Sequence, residues 1–162
     1  MPQTTIHKDP ANRAMTVTVE LPAPVERAWQ LWADPRQLER WWGPPTHPAT
    51  VVDHDLRADG KVTYFMTAPD GEKYHGGWRV LAVEAPQRLE VEDIFLDDAG
   101  NPVPGMPVST MVVELRAADA GTTMQMHSTW PTVEAMQQVL DMGVEEGLTG
   151  ALSQIDAILA AG

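Results

Sequence analysis

There is no cysteine in this chain, which excludes disulfides, thiolate zinc sites and cysteine nucleophiles. The lack fits a cytoplasmic setting. Basic residues are scarce as well: 11 Lys and Arg stand against 23 Asp and Glu, a net charge of -12. Such a surface repels phosphate backbones and anionic lipid heads, so neither nucleic acid nor a membrane surface is expected as a partner. Long apolar runs are missing too. No stretch approaches the roughly 18 apolar residues of a membrane span. The opening MPQTTIHKDPANRAM has no apolar signal-peptide core. Also lacking are a G-x-S-x-G elbow, a phosphate loop and a dinucleotide fingerprint. None of His7, His47, His54, His75 and His127 falls at a metal-ligand spacing, so no metal and no cofactor is expected.

What is present suits one ordinary domain. The 162 residues are 43% hydrophobic and 21% charged, with no internal repeat or linker. Residues 1–13 are polar, contain two prolines and read as an irregular lead-in, leaving 14–162 as the domain. Val17, Val19 and Leu21 alternate with Thr16, Thr18 and Glu20, the pattern of a half-buried strand. Pro24 then opens a short helix carrying Ala28, Trp29 and Trp32. Asp34-Pro35 reads as an N-cap and first-turn proline of a second, carrying Leu38, Trp41 and Trp42 and ended by Gly43-Pro44-Pro45. From Thr50 to Trp130, turn signals at Asp59-Gly60, Pro69-Asp70-Gly71, Pro86-Gln87, Asp97–Pro107 and Ala120-Gly121 divide six further strands. After Pro131 the period becomes helical. Val133, Met136, Leu140, Val144, Leu148, Ala151, Ile155 and Leu159 form one stripe, predicting a single long helix nearly to the C-terminus. Seven antiparallel strands and one long helix predict an α+β fold with the sheet curled around that helix.

The alternation assigns faces. Val52, His54 and Leu56 share one side of their strand. So do Val62, Tyr64 and Met66; Tyr74, Trp78 and Val80; Leu89, Val91, Asp93 and Phe95; Met111, Val113 and Leu115; and Met124, Met126, Ser128 and Trp130. His54, Tyr64 and Asp93 are the polar members of an otherwise apolar face. A buried carboxylate needs hydrogen bonds or a cation, so the trio can orient a ligand, move a proton, or simply satisfy itself. Gly143 and Gly147 lie on the helix stripe and either admit the sheet closely or leave room for a guest. The methionines at 66, 111, 124, 126, 136 and 142 either fill the core or line an adaptable apolar site. Trp41-Trp42 either fixes the helix pair to the sheet or guards a pocket mouth. Gly76-Gly77 marks a bulge or a close approach within a strand.

Taken together, Trp41-Trp42-Gly43-Pro44, Asp55-Leu56-Arg57 before Asp59-Gly60, Ala68-Pro69-Asp70-Gly71, Pro86-Gln87-Arg88-Leu89, Gly100-Asn101-Pro102 and Met142-Gly143-Val144-Glu145-Glu146-Gly147 are landmarks. In order and spacing the chain resembles a bacterial START-like (SRPBCC) domain. Its branch is named after the activator of the ninety-kilodalton heat-shock chaperone's ATPase. The resemblance spans roughly residues 14–160. It implies the helix-grip fold and an internal cavity, but no single catalytic constellation. Val144 and Leu148 stand where the branch often has Met and Trp, and Asp59 where Gly is common.

Three functions compete. The first is binding of a small, largely apolar molecule in a cavity lined by Trp41, Trp42, His54, Tyr64, Met66, Trp78, Val80, Val91, Asp93, Phe95, Met111, Val113, Met124, Met126, Ser128, Met136, Leu140, Gly143 and Gly147. The second is a cyclase, hydrolase or lyase with His54 or Asp93 as base and Tyr64 as acid or oxyanion donor. This one requires His54 and Asp93 to converge. The third is a co-chaperone or interaction module, with a chaperone partner suggested by the resemblance. A homodimer is compatible with all three.

Overall fold

Strand β2 (Ala14–Leu21) shows how the pattern becomes structure: Val17, Val19 and Leu21 are at most 2% exposed, while Glu20 faces solvent. The computed structural model describes residues 3–161. Within it, β1 (Gln3–Asp9), β2, β3 (Ala49–His54), β4 (Lys61–Thr67), β5 (Lys73–Glu84), β6 (Arg88–Leu96), β7 (Ser109–Ala118) and β8 (Gly121–Thr129) form one antiparallel sheet in the order β1-β2-β8-β7-β6-β5-β4-β3. The sheet is open, with β1 and β3 as its edges. Helices α1 (Val25–Ala33) and α2 (Pro35–Trp41) follow β2. Three helical segments, α3 (Val133–Asp141), α4 (Val144–Leu152) and α5 (Ile155–Ala160), complete the chain. The concave face and the inner sides of the helices share one apolar core, as the helix-grip architecture requires.

Four expectations need correcting. The irregular lead-in contains a strand: β1 pairs with β2 from Gln3↔Glu20 to Asp9↔Ala14, after a tight turn at Pro10–Asn12 that Arg13 closes at φ 54°. The sheet therefore has eight strands, not seven. An edge strand needs little apolar sequence, and from β1 the hydrophobic Ile6 packs on the core.

The long helix is divided. Gly143 sits at φ +84°, a left-handed conformation that ends α3, and Ser153-Gln154 separates α4 from α5. Of the stripe, Met136, Ala151 and Ile155 are buried and Leu159 is half-buried; Val139, Leu152 and Ile158, outside the stripe, are buried with them. The middle of the stripe, Leu140, Val144 and Leu148, is only half-buried, and Val133 at its start is exposed.

Val52 does not face inward. A β-bulge between Val51 and Asp53 shifts the register, so Val51 is buried (3% exposed) and Val52 is outside (63%). Tyr74 lies opposite Met66 but near the start of β5, where it is 53% exposed and its hydroxyl donates to Glu72.

The caps match the sequence signals. Asp34 Oδ1 accepts from Arg36 N–H at 2.9 Å at the start of α2, and Thr132 Oγ1 accepts from Ala135 N–H at 3.0 Å at the start of α3. Each such cap stabilises its helix by about 1 kcal/mol. No helix among the described residues is long and apolar enough to cross a membrane.

Candidate functional site

The site grows from the end of α2. Trp41 is the last helical residue and Trp42 its C-cap, so adjacent indoles leave the helix in different directions. Trp41 donates its Nε1–H to the Leu31 carbonyl at 2.9 Å, and Trp32 of α1 donates to Met124 Sδ at 3.4 Å. Trp42 instead meets the sheet. Its ring lies 5.0 Å from that of Trp78 on β5 and 6.0 Å from that of Tyr64 on β4, both edge-to-face. With Trp32–Trp41 at 4.9 Å and Trp32–Trp78 at 5.8 Å, five rings form one cluster. Each well-oriented pair adds about 0.5–1.5 kcal/mol beyond its buried area.

Two donors in this cluster have no acceptor among the described residues. Trp42 Nε1 and Trp78 Nε1 are buried and unpaired, in residues only 9% and 2% exposed. Each orphan costs about 1–3 kcal/mol relative to a satisfied group.

Cross-strand pairing puts a carboxylate beside Trp78. Val62, Trp78 and Asp93 are register partners across β4, β5 and β6, and Tyr64 lies opposite Gly76. That glycine is required: a Cβ at position 76 would stand 2.7 Å from Tyr64 Oη. With the space free, the Tyr64 hydroxyl reaches over and donates to Asp93 Oδ1 at 3.4 Å. No cation pairs with Asp93 among the described residues, and its loss of hydration pushes its pKa up to about 7, with the Tyr64 hydrogen bond acting in the opposite direction. As a whole residue Asp93 is only half-buried, so its carboxyl is desolvated although part of its surface remains accessible. Burial, and then the Asp93 charge, holds the Tyr64 phenol well above its ordinary range. The Trp42 indole N–H eases that rise from nearby, without the geometry of a hydrogen bond.

The third polar candidate stands apart. His54 Nε2 meets the Trp32 carbonyl at 2.9 Å and makes no hydrogen bond or ion pair with Asp93 or Tyr64. The structure thus joins Tyr64 to Asp93 and diverts His54 to α1. Trp42 and Trp78 complete the polar set. The adjacency of Trp78 to Asp93 is legible from strand register, but the placing of Trp42 and the missing acceptors are not.

The remaining expected lining residues divide. Val80, Val91, Met111, Val113, Met124, Met126 and Met136 are at most 4% exposed and packed on all sides. Trp41 is also wholly buried. Met66, Phe95, Ser128, Leu140, Gly143 and Gly147 retain exposed surface. A Cβ on Gly147 would meet nothing within 4 Å, so close packing does not account for this glycine. Around α4 the chain is tied down on both sides: Lys8 Nζ pairs with Glu145 at 2.9 Å, and Gly150 approaches Pro44 and Pro45. Gln154 Nε2 donates to the Gly43 carbonyl at 2.7 Å.

Two surface hollows lie elsewhere and are open to solvent. One is formed by Pro22–Glu26 with Ala117, Ala118, Ala120 and Gly121, the other by α3 residues from Glu134 to Asp141 with Met142. No three His, Asp or Glu side chains among the described residues gather closely enough to hold a metal ion.

This sheet, curled on a segmented C-terminal helix with an aromatic and carboxylate group beneath it, defines a START-like, helix-grip domain. The chain belongs to the family described as activator of Hsp90 ATPase homolog 1-like protein, whose family pattern matches residues 22–160. Among solved structures it is similar to protein Ms6760 from Mycobacterium smegmatis, at 52% identity and TM-score 0.91 over 99% of both chains. It is also similar to a protein from Arthrobacter aurescens, at 43% identity and TM-score 0.92 over 98% of this chain and 92% of that one. A protein from Rhodobacter sphaeroides shares the fold at 21% identity and TM-score 0.85, covering 99% of this chain and 100% of that one. No curated protein matches the chain.

Proposed function

We propose that this domain binds a small, largely apolar molecule between the concave face of its sheet and the middle of its C-terminal helical run. One observation carries the reading. On the core side of the molecule, apolar residues from both layers stay half-exposed: Leu56, Met66 and Phe95 from the sheet side, Leu140, Val144 and Leu148 from the helices. Exposed apolar surface beside a packed core is unfavourable by about 25 cal/mol per Å2 and is relieved when a guest covers it.

The test is native mass spectrometry and thermal-shift measurement against a panel of apolar metabolites. A bound mass, together with a rise in Tm that saturates with ligand, is the expected result. No bound species and no shift across the panel overturns the reading.

A further inference from the structure

We propose that the polar end of the bound molecule is an uncharged hydroxyl, of an alcohol or a phenol, received by Trp42 Nε1–H, Trp78 Nε1–H and the Asp93 carboxylate. The inference rests on the binding function proposed above and names the chemistry of its ligand.

The donors come first. Trp32 and Trp41, in the same ring cluster, have each found an acceptor, while Trp42 and Trp78 have found none among the described residues. The two rings are in contact at 5.0 Å, and both residues are at least nine-tenths buried. An indole N–H can only donate, so whatever meets these groups must carry lone pairs.

The acceptor comes next. Asp93 is the cross-strand partner of Trp78 and takes one hydrogen bond, from Tyr64 to Oδ1; nothing among the described residues donates to Oδ2. Above about pH 7 Asp93 is ionised, and an ionised carboxylate oxygen can only accept, so there the guest must also carry a proton to give.

Simple head groups can be compared on these terms. An ammonium ion suits Asp93 but has no lone pair for the indoles. A carboxylate or phosphate suits the indoles but meets the Asp93 charge, which no described Lys or Arg pairs with to offset the repulsion. A ketone or ester satisfies the indoles and leaves Oδ2 unmet. A hydroxyl has two lone pairs and one proton, matching two donors and one acceptor without adding charge.

The experiment titrates 15N-labelled full-length protein at pH 8, where Asp93 is ionised, with 2-naphthol, naphthalene and 2-naphthoate, following the indole Nε1–H resonances. Trp42→Phe and Trp78→Phe assign those resonances by deletion. The expected result is that 2-naphthol binds at least about tenfold more tightly than naphthalene, a gap of about 1.4 kcal/mol, and moves the Trp42 and Trp78 signals. Trp78→Phe keeps an aromatic ring and loses the donor. It should weaken 2-naphthol binding more than naphthalene binding and so narrow the gap between them, whereas a merely structural role would weaken both equally. If Trp78→Phe does not fold, the wild-type comparison and Trp42→Phe decide. Equal affinity for 2-naphthol and naphthalene means that the donors hold water or nothing; it overturns the hydroxyl assignment and leaves the binding function standing. Tightest binding of 2-naphthoate overturns it likewise. Failure of all three probes to bind sinks both readings.

Discussion

The two sides of the tryptophan cluster solve the same chemical problem differently. On the α1 side, Trp32 and Trp41 are fully buried and each indole N–H has an acceptor. In the same core, Val17, Val19, Val113, Leu115 and Met124 are sealed at 2% exposed or less. On the β4–β5–β6 side, Trp42 and Trp78 are nearly as deep but unpaired among the described residues, beside a carboxylate without a cation. The first region has been closed by its own chain. The second keeps unpaired buried groups at a cost in stability, which the binding site proposed above would account for.

The comparison is tested most strongly at Asp93. Its folded pKa of about 7 stands above the ordinary value of 3.8, so the folded state binds its proton more tightly than the unfolded chain. Stability from this group is therefore full below about pH 4 and is lost as pH rises through about 7. The loss is on the order of 2–4 kcal/mol, the upper figure being the full shift with no relaxation of the site. Denaturant melts between pH 4 and 8 should show the fall. Asp93→Asn should flatten it and leave the variant more stable than the parent at pH 8. A parent curve that does not fall in this window means that the carboxylate is solvated and the two sides do not differ.

Next in size is Gly76→Ala, which places a Cβ against the Tyr64 hydroxyl and must displace that ring. A cost of about 2 kcal/mol is expected from overpacking. Gly71→Ala is a poor control because of its positive φ, so the variant should be compared with a surface substitution such as Thr50→Ala. An unchanged Cm in urea would mean that Tyr64 does not lie over the strand.

The third break compares adjacent indoles. Trp41→Phe strips the Leu31 carbonyl of its donor within a closed core and should cost about 1–3 kcal/mol. Trp42→Phe removes a donor that has no acceptor among the described residues, so its cost should be smaller by at least about 1 kcal/mol. Equal losses in chemical denaturation would erase the distinction between the two sides.

Much of this was legible in the sequence because it depends on period. Val17, Val19 and Leu21 alternate and are buried; Asp34-Pro35 caps a helix; Tyr64, Trp78 and Asp93 share a face because pleated strands repeat every two residues. The Gly76-Gly77 pair signalled a close approach, and the structure supplies Tyr64 as the approaching group. What escaped depends on events that break period. The bulge after Val51 exchanged the places of Val51 and Val52 while keeping His54 inward, and nothing in Thr50-Val51-Val52-Asp53 announces it. Strand β1 escaped because none of its described side chains is fully buried, so no apolar alternation marks it. His54 went to the Trp32 carbonyl rather than to Asp93 because α1 lies within its reach, a tertiary fact absent from strand parity. The family resemblance carried the fold in the same way, without assigning the polar site.

The smallest effects test whether the C-terminal run is one helix or three. In an unbroken helix both Gly143→Ala and Gly147→Ala should stabilise by about 1 kcal/mol, since each removes backbone freedom from the unfolded chain and adds a good helix former. The structure predicts opposite signs. Gly147 lies within α4, and a Cβ added there would meet nothing within 4 Å, so alanine should bring its full gain of up to about 1 kcal/mol. Gly143 lies at φ +84°, where an L side chain crowds its own backbone, so alanine there should cost about 1 kcal/mol. Thermal melts of the two variants at one pH decide between these outcomes. Gains at both positions would restore the unbroken stripe from Met136 to Ile155 and seal the middle of the helix against the sheet. The half-exposure of Leu140, Val144 and Leu148 would then no longer distinguish the open side of the core from the closed one.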